Sequence, residues 1–307
     1  MKIGSREFDV KNQVYVMGIL NVTPDSFSDG GKWNSMDRAL AHVEEMLAEG
    51  MDILDIGGES TRPGSDYSMP AEEELERVIP YIEAVKTRFD VPISLDTYKS
   101  RVAEAGIAAG ADMINDIWGL KWDARMAQVI ADHDVACCLM HNRKKAEQAG
   151  NAVWDKESNS AATAQRDANP YGYSNFLRDV ASDLAQSVEL ARKAGIGEER
   201  IILDPGVGFA KSYEQNLRII NHLENLQDLG YPILLGTSRK SVVGLTLDLP
   251  VTERLEGTLV TTVMGLLKGC AFVRVHDVKE NVRAIRMSQA ILREEKRQRN
   301  VSEEKLG

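Results

Sequence analysis

The sequence predicts an α/β fold, a single-domain (β/α)8 TIM barrel with its active site at the carboxyl ends of the strands. Eight short apolar runs of strand length recur along the chain, and most are separated by segments long enough to form a helix. Each run ends in a polar residue that can bind a ligand. The length of 307 residues suits one barrel of about 250 residues with additions. An open, doubly wound sheet is the alternative fold.

The apolar runs are the predicted strands, because a strand that is buried on both faces reads as a continuous apolar stretch. In chain order they read VYVMGILN, MDILDIGGES, PISLDT, ADMINDIWG, VACCLMH, RIILDPG, YPILLGTSRKS and AFVRVHD. If the strands are parallel, their polar ends share one rim of the barrel. The polar residues at these ends are Asn21, Asp55, Ser60, Asp96, Asn115, Asp116, His141, Asp204, Arg239, Lys240, Arg274 and His276.

Amphipathic segments between these runs predict helices. Residues 35–49 have the apolar spacing of a helix and are followed by Gly50, a common stop signal. Residues 71–88 begin with acidic side chains, which favour a helix amino terminus, and Pro80 predicts that this helix is kinked or divided. Further helices are predicted over 99–109, 123–132, 174–194, 212–229, 252–268 and 278–297.

The alternation of strands and helices gives no sign of a second domain. We predict one barrel over residues 1–292 and a charged tail over 293–307. Residues 142–173 are polar and aperiodic, and they form a long loop insertion between the fifth strand and its helix. We predict that this loop tolerates shortening.

Composition narrows the classes of function. The net charge of −10 argues against nucleic-acid binding, which usually needs a basic face. The amino terminus lacks the apolar region of a signal peptide, and no uncharged apolar run reaches the roughly 18 residues that a membrane span needs. The three cysteines have no paired spacing, which favours a reducing compartment. We therefore predict a cytoplasmic protein with small-molecule partners, no nucleic acid and no membrane.

Basic residues at the strand ends stand out in an acidic protein, and we predict that they form a local anion site. They are Arg62, Arg239, Lys240, Arg274 and His276. The guanidinium of Arg62, in the loop DIGGESTRPG, suits a carboxylate or phosphate, although a solvated surface charge is the alternative. Arg274 and His276 alternate along the last strand and so share one face. A structural imidazole is the alternative reading of His276.

Acceptor side chains follow other strands. Asn21, in MGILNVTPDSFSDGG, has an amide oxygen that can bind a hard cation, and a capping Asn is the alternative. Carboxylates and amides at three further strand ends would converge on one pocket and suit a planar heterocycle rich in N–H groups. They are Asp96, Asn115, Asp116 and Asp204. For any one of these, a helix cap or a structural partner is the alternative.

Two further motifs follow strands six and seven. The segment DPGVGFAK lacks the spacing of a phosphate loop, so its glycines more simply permit a tight turn under a ligand, with Phe209 as a wall. The segment GTSRKS contains Lys240, which can contact phosphate, donate to a heterocycle or form a Schiff base. The next residue, Ser241, can hydrogen-bond a carboxylate.

Taken in order, the motifs MGILNVTPDSFSDGG, DIGGESTRPG, SLDT, NDIWG, DPGVGFAK, TSRKS and RVHDV resemble those of dihydropteroate synthase, an enzyme family of the folate pathway. The resemblance covers about residues 14–278 and implies a (β/α)8 barrel that usually forms homodimers. It implies a transferase that joins 4-aminobenzoate to 6-hydroxymethyl-7,8-dihydropterin diphosphate and releases diphosphate and 7,8-dihydropteroate. It also implies that Mg2+ assists and that sulfonamides compete with 4-aminobenzoate.

The resemblance assigns roles to residues of this sequence. The residues that would hold the pterin are Asp96, Asn115, Asp204 and Lys240. Those that would hold the diphosphate are Asn21, Arg62, Arg274 and His276, with Asn21 also near Mg2+. Those that would frame the aminobenzoate are Thr61, Pro63, Phe209, Lys240 and Ser241, with Phe27 on the first loop. The implied catalytic residues are Asp96, Lys240, Arg274 and His276.

Three other functions fit parts of the pattern. A corrinoid methyltransferase acting on methyltetrahydrofolate would share a pterin-binding barrel, but it has no use for the Arg62 loop or for the Arg274 and His276 pair. A Schiff-base aldolase would depend on Lys240. A non-catalytic pterin-binding protein would keep the acceptors at the strand ends but could lose the long loops.

Overall fold

The structure, a computed structural model, describes residues 1–22, 32–59, 69–143 and 171–304. Within these ranges the main sheet has eight strands, and each predicted apolar run forms one of them. The strands of the sheet are β3 (Tyr15–Asn21), β4 (Ile53–Gly57), β5 (Ile93–Asp96), β6 (Met113–Asp116), β7 (Ala136–Met140), β8 (Ile201–Asp204), β9 (Leu234–Leu235) and β10 (Phe272–Val275).

The sheet closes into a barrel. Strands β3 to β8 pair with their neighbours in chain order, and β10 pairs with both β3 and β9, always in parallel. A parallel bridge between Leu203 and Ile233 joins β8 to the segment that enters β9. The (β/α)8 prediction is confirmed, and the open-sheet alternative is wrong because an open sheet would leave its two end strands unconnected.

Helices surround the strands in the predicted alternation. They are α1 (Lys32–Glu49), α2 (Ala71–Arg88), α3 (Ser100–Ala109), α4 (Met126–Asp132), α5 (Phe176–Ala194), α6 (Tyr213–Asn221), α7 (Ser241–Leu247), α8 (Leu255–Leu267) and α9 (Val278–Glu304). Helix α2 continues through Pro80, so it is not divided. The predicted helix over 212–229 is α6 followed by a 3-10 helix, Leu223–Leu229. The seven-residue α7 was not predicted, because two turns show too little periodicity.

The barrel interior changes from apolar to polar along the strands. Alternate residues of a strand share a face, so Ile53 and Asp55 both point inward from β4. The lower layer contains Met17, Ile53, Met113 and Phe272. Two residues further along β4 and β10, the inward-facing residues become polar, namely Asp55 and Arg274.

A short amino-terminal hairpin closes the lower end of the barrel. Strands β1 (Lys2–Ile3) and β2 (Arg6–Glu7) pair antiparallel, and neither was predicted. Ile3 and Phe8 are buried with the lower layer, and the ring of Phe8 lies 4.8 Å from that of Tyr15 and 5.8 Å from that of Phe272. The hairpin therefore seals the end of the barrel that lies opposite the strand carboxyl ends.

The structure does not test two predicted boundaries, the start of the charged tail and the extent of the 142–173 insertion. Helix α9 runs without interruption past residue 293, so the backbone gives no separate mark for a tail. Most of the 142–173 insertion lies outside the described residues. None of the helices in the described part of the chain is long and apolar enough to cross a membrane, and a cytoplasmic location stays a prediction from the sequence.

Candidate active site

A row of inward-facing positions crosses four adjacent strands at the carboxyl rim. Asn21 is the register partner of Gly57, Gly57 is the partner of Asp96, and Asp96 is the partner of Asn115. A Cβ atom on Gly57 would lie 3.5 Å from Cβ of Asp96 and 3.9 Å from Oδ1 of Asn21. Gly57 therefore leaves open space between the amide and the carboxylate, as a site for a bound molecule requires.

Arg274 joins two carboxylates in the barrel interior. Its Nε donates to Oδ2 of Asp55 at 2.6 Å, and its Nη2 donates to Oδ2 of Asp96 at 2.8 Å. Asp55 is fully buried. Burial opposes the charge of Arg274, but the two carboxylates outweigh it and raise the pKa of the guanidinium further. The sequence places Asp55 at a strand end without indicating a role. The structure shows that its carboxylate is a partner of Arg274.

Each of these carboxylates keeps one buried oxygen without a donor among the described residues. These atoms are Oδ1 of Asp55 and Oδ1 of Asp96. Burial raises the pKa of Asp96 to about 7, although Arg274 lowers it, and the neighbouring charge of Asp55 raises it further. Burying an acceptor without a hydrogen-bond donor costs free energy. The two oxygens therefore indicate a site for a ligand whose N–H groups would donate to them.

Lys240 and Asp204 lie on the opposite side of the rim. Nζ of Lys240 donates to the carbonyl of Val207 at 2.5 Å and lies 5.0 Å from the ring centroid of Phe209. Oδ1 of Asp204 accepts from the Gly206 amide at 2.6 Å. Burial lowers the pKa of Lys240 to about 8 and raises the pKa of Asp204, and each charge opposes the shift of the other.

Gly236, just after β9, keeps this side of the rim open. A Cβ atom there would lie 3.8 Å from Oδ2 of Asp204, from Nζ of Lys240 and from Cβ of Arg274. Barrel closure therefore brings together the predicted residues from strands β5, β6, β8 and β10 and from the start of α7. Five of the predicted site residues lie at the same rim of the barrel: Asp96, Asn115, Asp204, Lys240 and Arg274.

His276 follows β10 and is fixed by Ser238. The backbone N–H of His276 donates to Oγ of Ser238 at 3.1 Å, and Oγ lies 3.0 Å from Nδ1 of the same histidine. Ser238 therefore fixes the position of the imidazole after the end of β10, whichever ring nitrogen carries the proton.

Two predicted ligand residues have structural roles. Arg239 donates through Nε to Oδ2 of Asp277 at 3.0 Å and pairs with the other oxygen of Asp277 as well, which fixes its guanidinium. Its part in the anion site stays a prediction. Asp116 accepts from the amides of Trp118 and Leu120 at 2.8 and 2.7 Å. Its carboxylate therefore stabilises the turn after β6, and the structural alternative is the right one.

Of the remaining predicted site residues, two lie in the part of the chain that the structure describes and the others lie outside it. Phe209 is buried with Met140, and Ser241 is exposed as the first residue of α7. The residues that lie outside the described ranges are Phe27, Ser60, Thr61, Arg62 and Pro63. Their predicted roles stay predictions.

The described residues form no group of three or more His, Cys, Asp or Glu side chains that could hold a metal ion. Asn21 contributes one amide oxygen next to Asp96, whose Oδ2 is already occupied by Arg274. Mg2+ is usually bound by one or two protein oxygens together with water and substrate phosphates. The donor set around Asn21 fits such a partial site and does not fit a site made of protein ligands alone.

Comparisons with known proteins agree with the motif resemblance. The family model described as pterin binding enzyme matches residues 17–276. The dihydropteroate synthase of Clostridium beijerinckii is 53% identical over 294 residues, which cover 95% of this chain and 100% of that protein.

Solved structures of the same kind superpose on most of the chain. The dihydropteroate synthase of Clostridium difficile, solved in the presence of pteroic acid, is 47% identical with a TM-score of 0.81, over 93% of this chain and 99% of that one. The Yersinia pestis dihydropteroate synthase, solved with a sulfonamide drug complex, is 37% identical with a TM-score of 0.81, over 95% and 98% of the two chains.

Proposed function

Because this chain belongs to the pterin-binding enzyme family and, within it, to the dihydropteroate synthases, we propose that it joins 4-aminobenzoate to 6-hydroxymethyl-7,8-dihydropterin diphosphate. The products are 7,8-dihydropteroate and diphosphate. The observation that carries the proposal is the buried Oδ1 of Asp96, an acceptor without a donor next to Asn115 at the open rim. A pterin supplies the N–H groups that this acceptor needs.

The pterin is held by acceptors and by one cation. Asp96 and Asn115 accept from its N–H groups on one side, and Asp204 accepts on the other. Lys240 donates to a ring acceptor, since its ammonium lies close to both Asp204 and the Phe209 ring. Phe209 then forms a wall of the adjacent aminobenzoate site, with Ser241 available for the carboxylate.

The reaction begins when the bond between the pterin methylene and the diphosphate oxygen breaks. Positive charge develops on the pterin, and the ionised carboxylate of Asp96 stabilises it. Such preorganised electrostatic contacts usually make the largest contribution to catalysis. The arylamine, which is neutral at pH 7, then attacks the methylene carbon through its nitrogen. The proton that the nitrogen loses passes to the released diphosphate or to water, so no strong base is needed. Diphosphate leaves with the electron pair of the broken bond.

The diphosphate is stabilised by Arg274 and His276, with Asn21 and Arg62 as further contacts. A guanidinium has five N–H donors. Arg274 uses two of them on Asp55 and Asp96, so three can face the leaving group while the carboxylates hold the side chain in place. The imidazole of His276, fixed by Ser238, supplies one more contact.

We propose Mg2+ as the cofactor, bound mainly through the diphosphate, with Asn21 as the protein ligand. When bound, Mg2+ neutralises charge on the diphosphate oxygens and makes it a better leaving group. The single amide oxygen of Asn21 supports binding of the ion together with the substrate, because one neutral ligand is too few to hold it alone.

We also propose that the protein forms homodimers through α8 and α9. Both helices expose large apolar side chains, among them Val260 at 63% and Met287 at 63% exposure, together with Leu267 and Ile291. An apolar patch of this kind is typical of a surface that another chain covers. In light scattering, the natural chain should have twice the monomer mass, and V260E combined with M287E should give a folded monomer.

The experiment that tests the activity is diphosphate release by the purified protein with Mg2+ and both substrates, each omitted in turn. Release that depends on 4-aminobenzoate, matches dihydropteroate formation and is blocked by a sulfonamide is the expected result. Tight pterin binding without product would contradict the synthase activity and favour a non-catalytic pterin-binding protein or a corrinoid methyltransferase.

A further inference from the structure

Lys211, the last residue of DPGVGFAK, has a buried ammonium that the proposed reaction does not use. Its Nζ lies 2.9 Å from the carbonyl oxygen of Gly206, 3.0 Å from that of Phe209 and 2.9 Å from Nδ1 of His141. The residue is 8% exposed. An ammonium has three donors, and these three acceptors, none of them a carboxylate, satisfy all of them.

His141 connects the ammonium to a second charged pair. Because Nδ1 accepts from Lys211, Nε2 carries the imidazole proton and donates to Oδ2 of Asp183, 3.1 Å away. Arg143 donates to the same oxygen at 2.5 Å. Burial, reinforced by Lys211, lowers the pKa of His141 to about 3 even though Asp183 opposes this shift, so the imidazole stays neutral. The network joins the turn after β8 to the end of β7 and to α5.

The turn that Lys211 holds carries much of the candidate site. Asp204 begins it, the Val207 carbonyl accepts from Lys240, and the Phe209 ring contacts the same ammonium. Its backbone is left-handed at Gly206, with φ +66°, and at Ala210, with φ +48°, although Ala210 is not a glycine. A left-handed backbone at a residue other than glycine is strained, and Lys211 supplies two hydrogen bonds to carbonyls of this turn.

We propose that Lys211 is a positioning residue that, through the Gly206 and Phe209 carbonyls, sets where Asp204, Phe209 and Lys240 meet the bound substrates. This inference rests on the synthase function proposed above. The charge matters because hydrogen bonds from an ionised donor are about twice as strong as neutral ones. Loss of the proton also leaves one of the three acceptors without a donor.

The surroundings of Lys211 make its charge sensitive to pH near neutrality. Burial lowers the pKa of Lys211 to about 7, and the nearby charge of Lys240 lowers it further. Asp204 from β8 and Asp183 from α5 raise it, and Arg143 after β7 lowers it, while His141 is neutral. As pH rises through this range, Lys211 loses its charge and the turn loses a donor.

The test compares Lys211→Met with the matched control Lys193→Met, an exposed lysine on α5. Each variant is checked for folding by thermal unfolding, and kcat and KM for both substrates are measured from pH 6 to 9. For Lys211→Met we expect KM for 4-aminobenzoate to rise at least about ten-fold, equivalent to about 1.4 kcal/mol. We expect KM of the natural chain to increase with pH near 7, and KM of Lys211→Met to lack this increase. The control should behave as the natural chain does.

Two results would overturn the positioning role. One is a folded Lys211→Met protein with unchanged KM values and an unchanged pH profile. The other is a lower unfolding temperature without any kinetic change, which would make the lysine merely structural. If Lys211→Met does not fold, His141→Leu removes one acceptor and should raise KM in the same direction by a smaller factor; unchanged KM values there would also overturn it. A natural chain without synthase activity would instead contradict the proposed function.

Discussion

The two ends of the barrel interior are built on the same inward-facing positions but from opposite chemistry. At the lower end, Met17, Ile53 and Phe272 pack with the amino-terminal hairpin in a fully apolar layer. Two residues further along β4 and β10, Asp55 and Arg274 form a buried ion pair, with oxygens left over for a ligand. Stability is therefore concentrated at one end and chemistry at the other, as is general for this fold.

Phe272→Ala tests the lower end and should have the largest effect. Removing a fully buried phenylalanine ring should lower the free energy of unfolding by about 3–5 kcal/mol. The kinetic constants of the protein that remains folded should hardly change, because the rim is not touched. Denaturant unfolding measures the first effect and synthase assays at low temperature measure the second.

Phe209→Ala is the matched truncation at the upper end. It should lower the free energy of unfolding by less and raise KM for 4-aminobenzoate, because Phe209 contacts Lys240 and is the proposed wall of the aminobenzoate site. If Phe272→Ala altered KM as much as Phe209→Ala does, the separation of the two ends would be wrong.

Asp96→Asn should have the next largest effect, now on turnover. The substitution keeps the size of the side chain but removes the charge that we propose stabilises the pterin cation, so we expect kcat to fall about 100- to 1,000-fold. Asp228→Asn, at an exposed position, is the control. Full turnover in a folded Asp96→Asn protein would remove this carboxylate from the mechanism.

Asp55→Asn should have the smallest effect, a change in pH dependence. The pKa of Asp96 is raised to about 7, mainly by burial and in part by Asp55, and the carboxylate is the active form in the proposed mechanism. Activity, measured as kcat at saturating substrate concentrations so that changes in KM do not contribute, should therefore rise as pH increases through about 7. Without the charge of Asp55, the pKa of Asp96 falls, so the midpoint of this rise should move to lower pH. A midpoint that stays in place or rises would contradict the coupling of the two carboxylates through Arg274.

The row of acceptors at the rim could be predicted from the sequence. Asp96, Asn115 and Asp204 each follow an apolar run, and parallel strands bring their carboxyl ends to one edge whatever the details of packing. The same argument cannot distinguish ligand-binding residues from residues with partners inside the protein, since Asp116 accepts from backbone amides and Arg239 pairs with Asp277. Only the three-dimensional arrangement distinguishes the two cases.

The sequence by itself determined the order and type of the main elements and the identity of the rim residues, because burial on both faces requires continuous apolar runs. Only the tertiary structure decided which charged side chains form ion pairs and hydrogen bonds with one another. Arg274 lies 219 residues from Asp55 and 178 from Asp96 in the chain, yet it donates to both. The same holds for Lys211, 70 residues from His141. Such contacts depend on barrel closure and strand register, which bring distant residues within hydrogen-bonding distance and leave no periodic signal in the sequence.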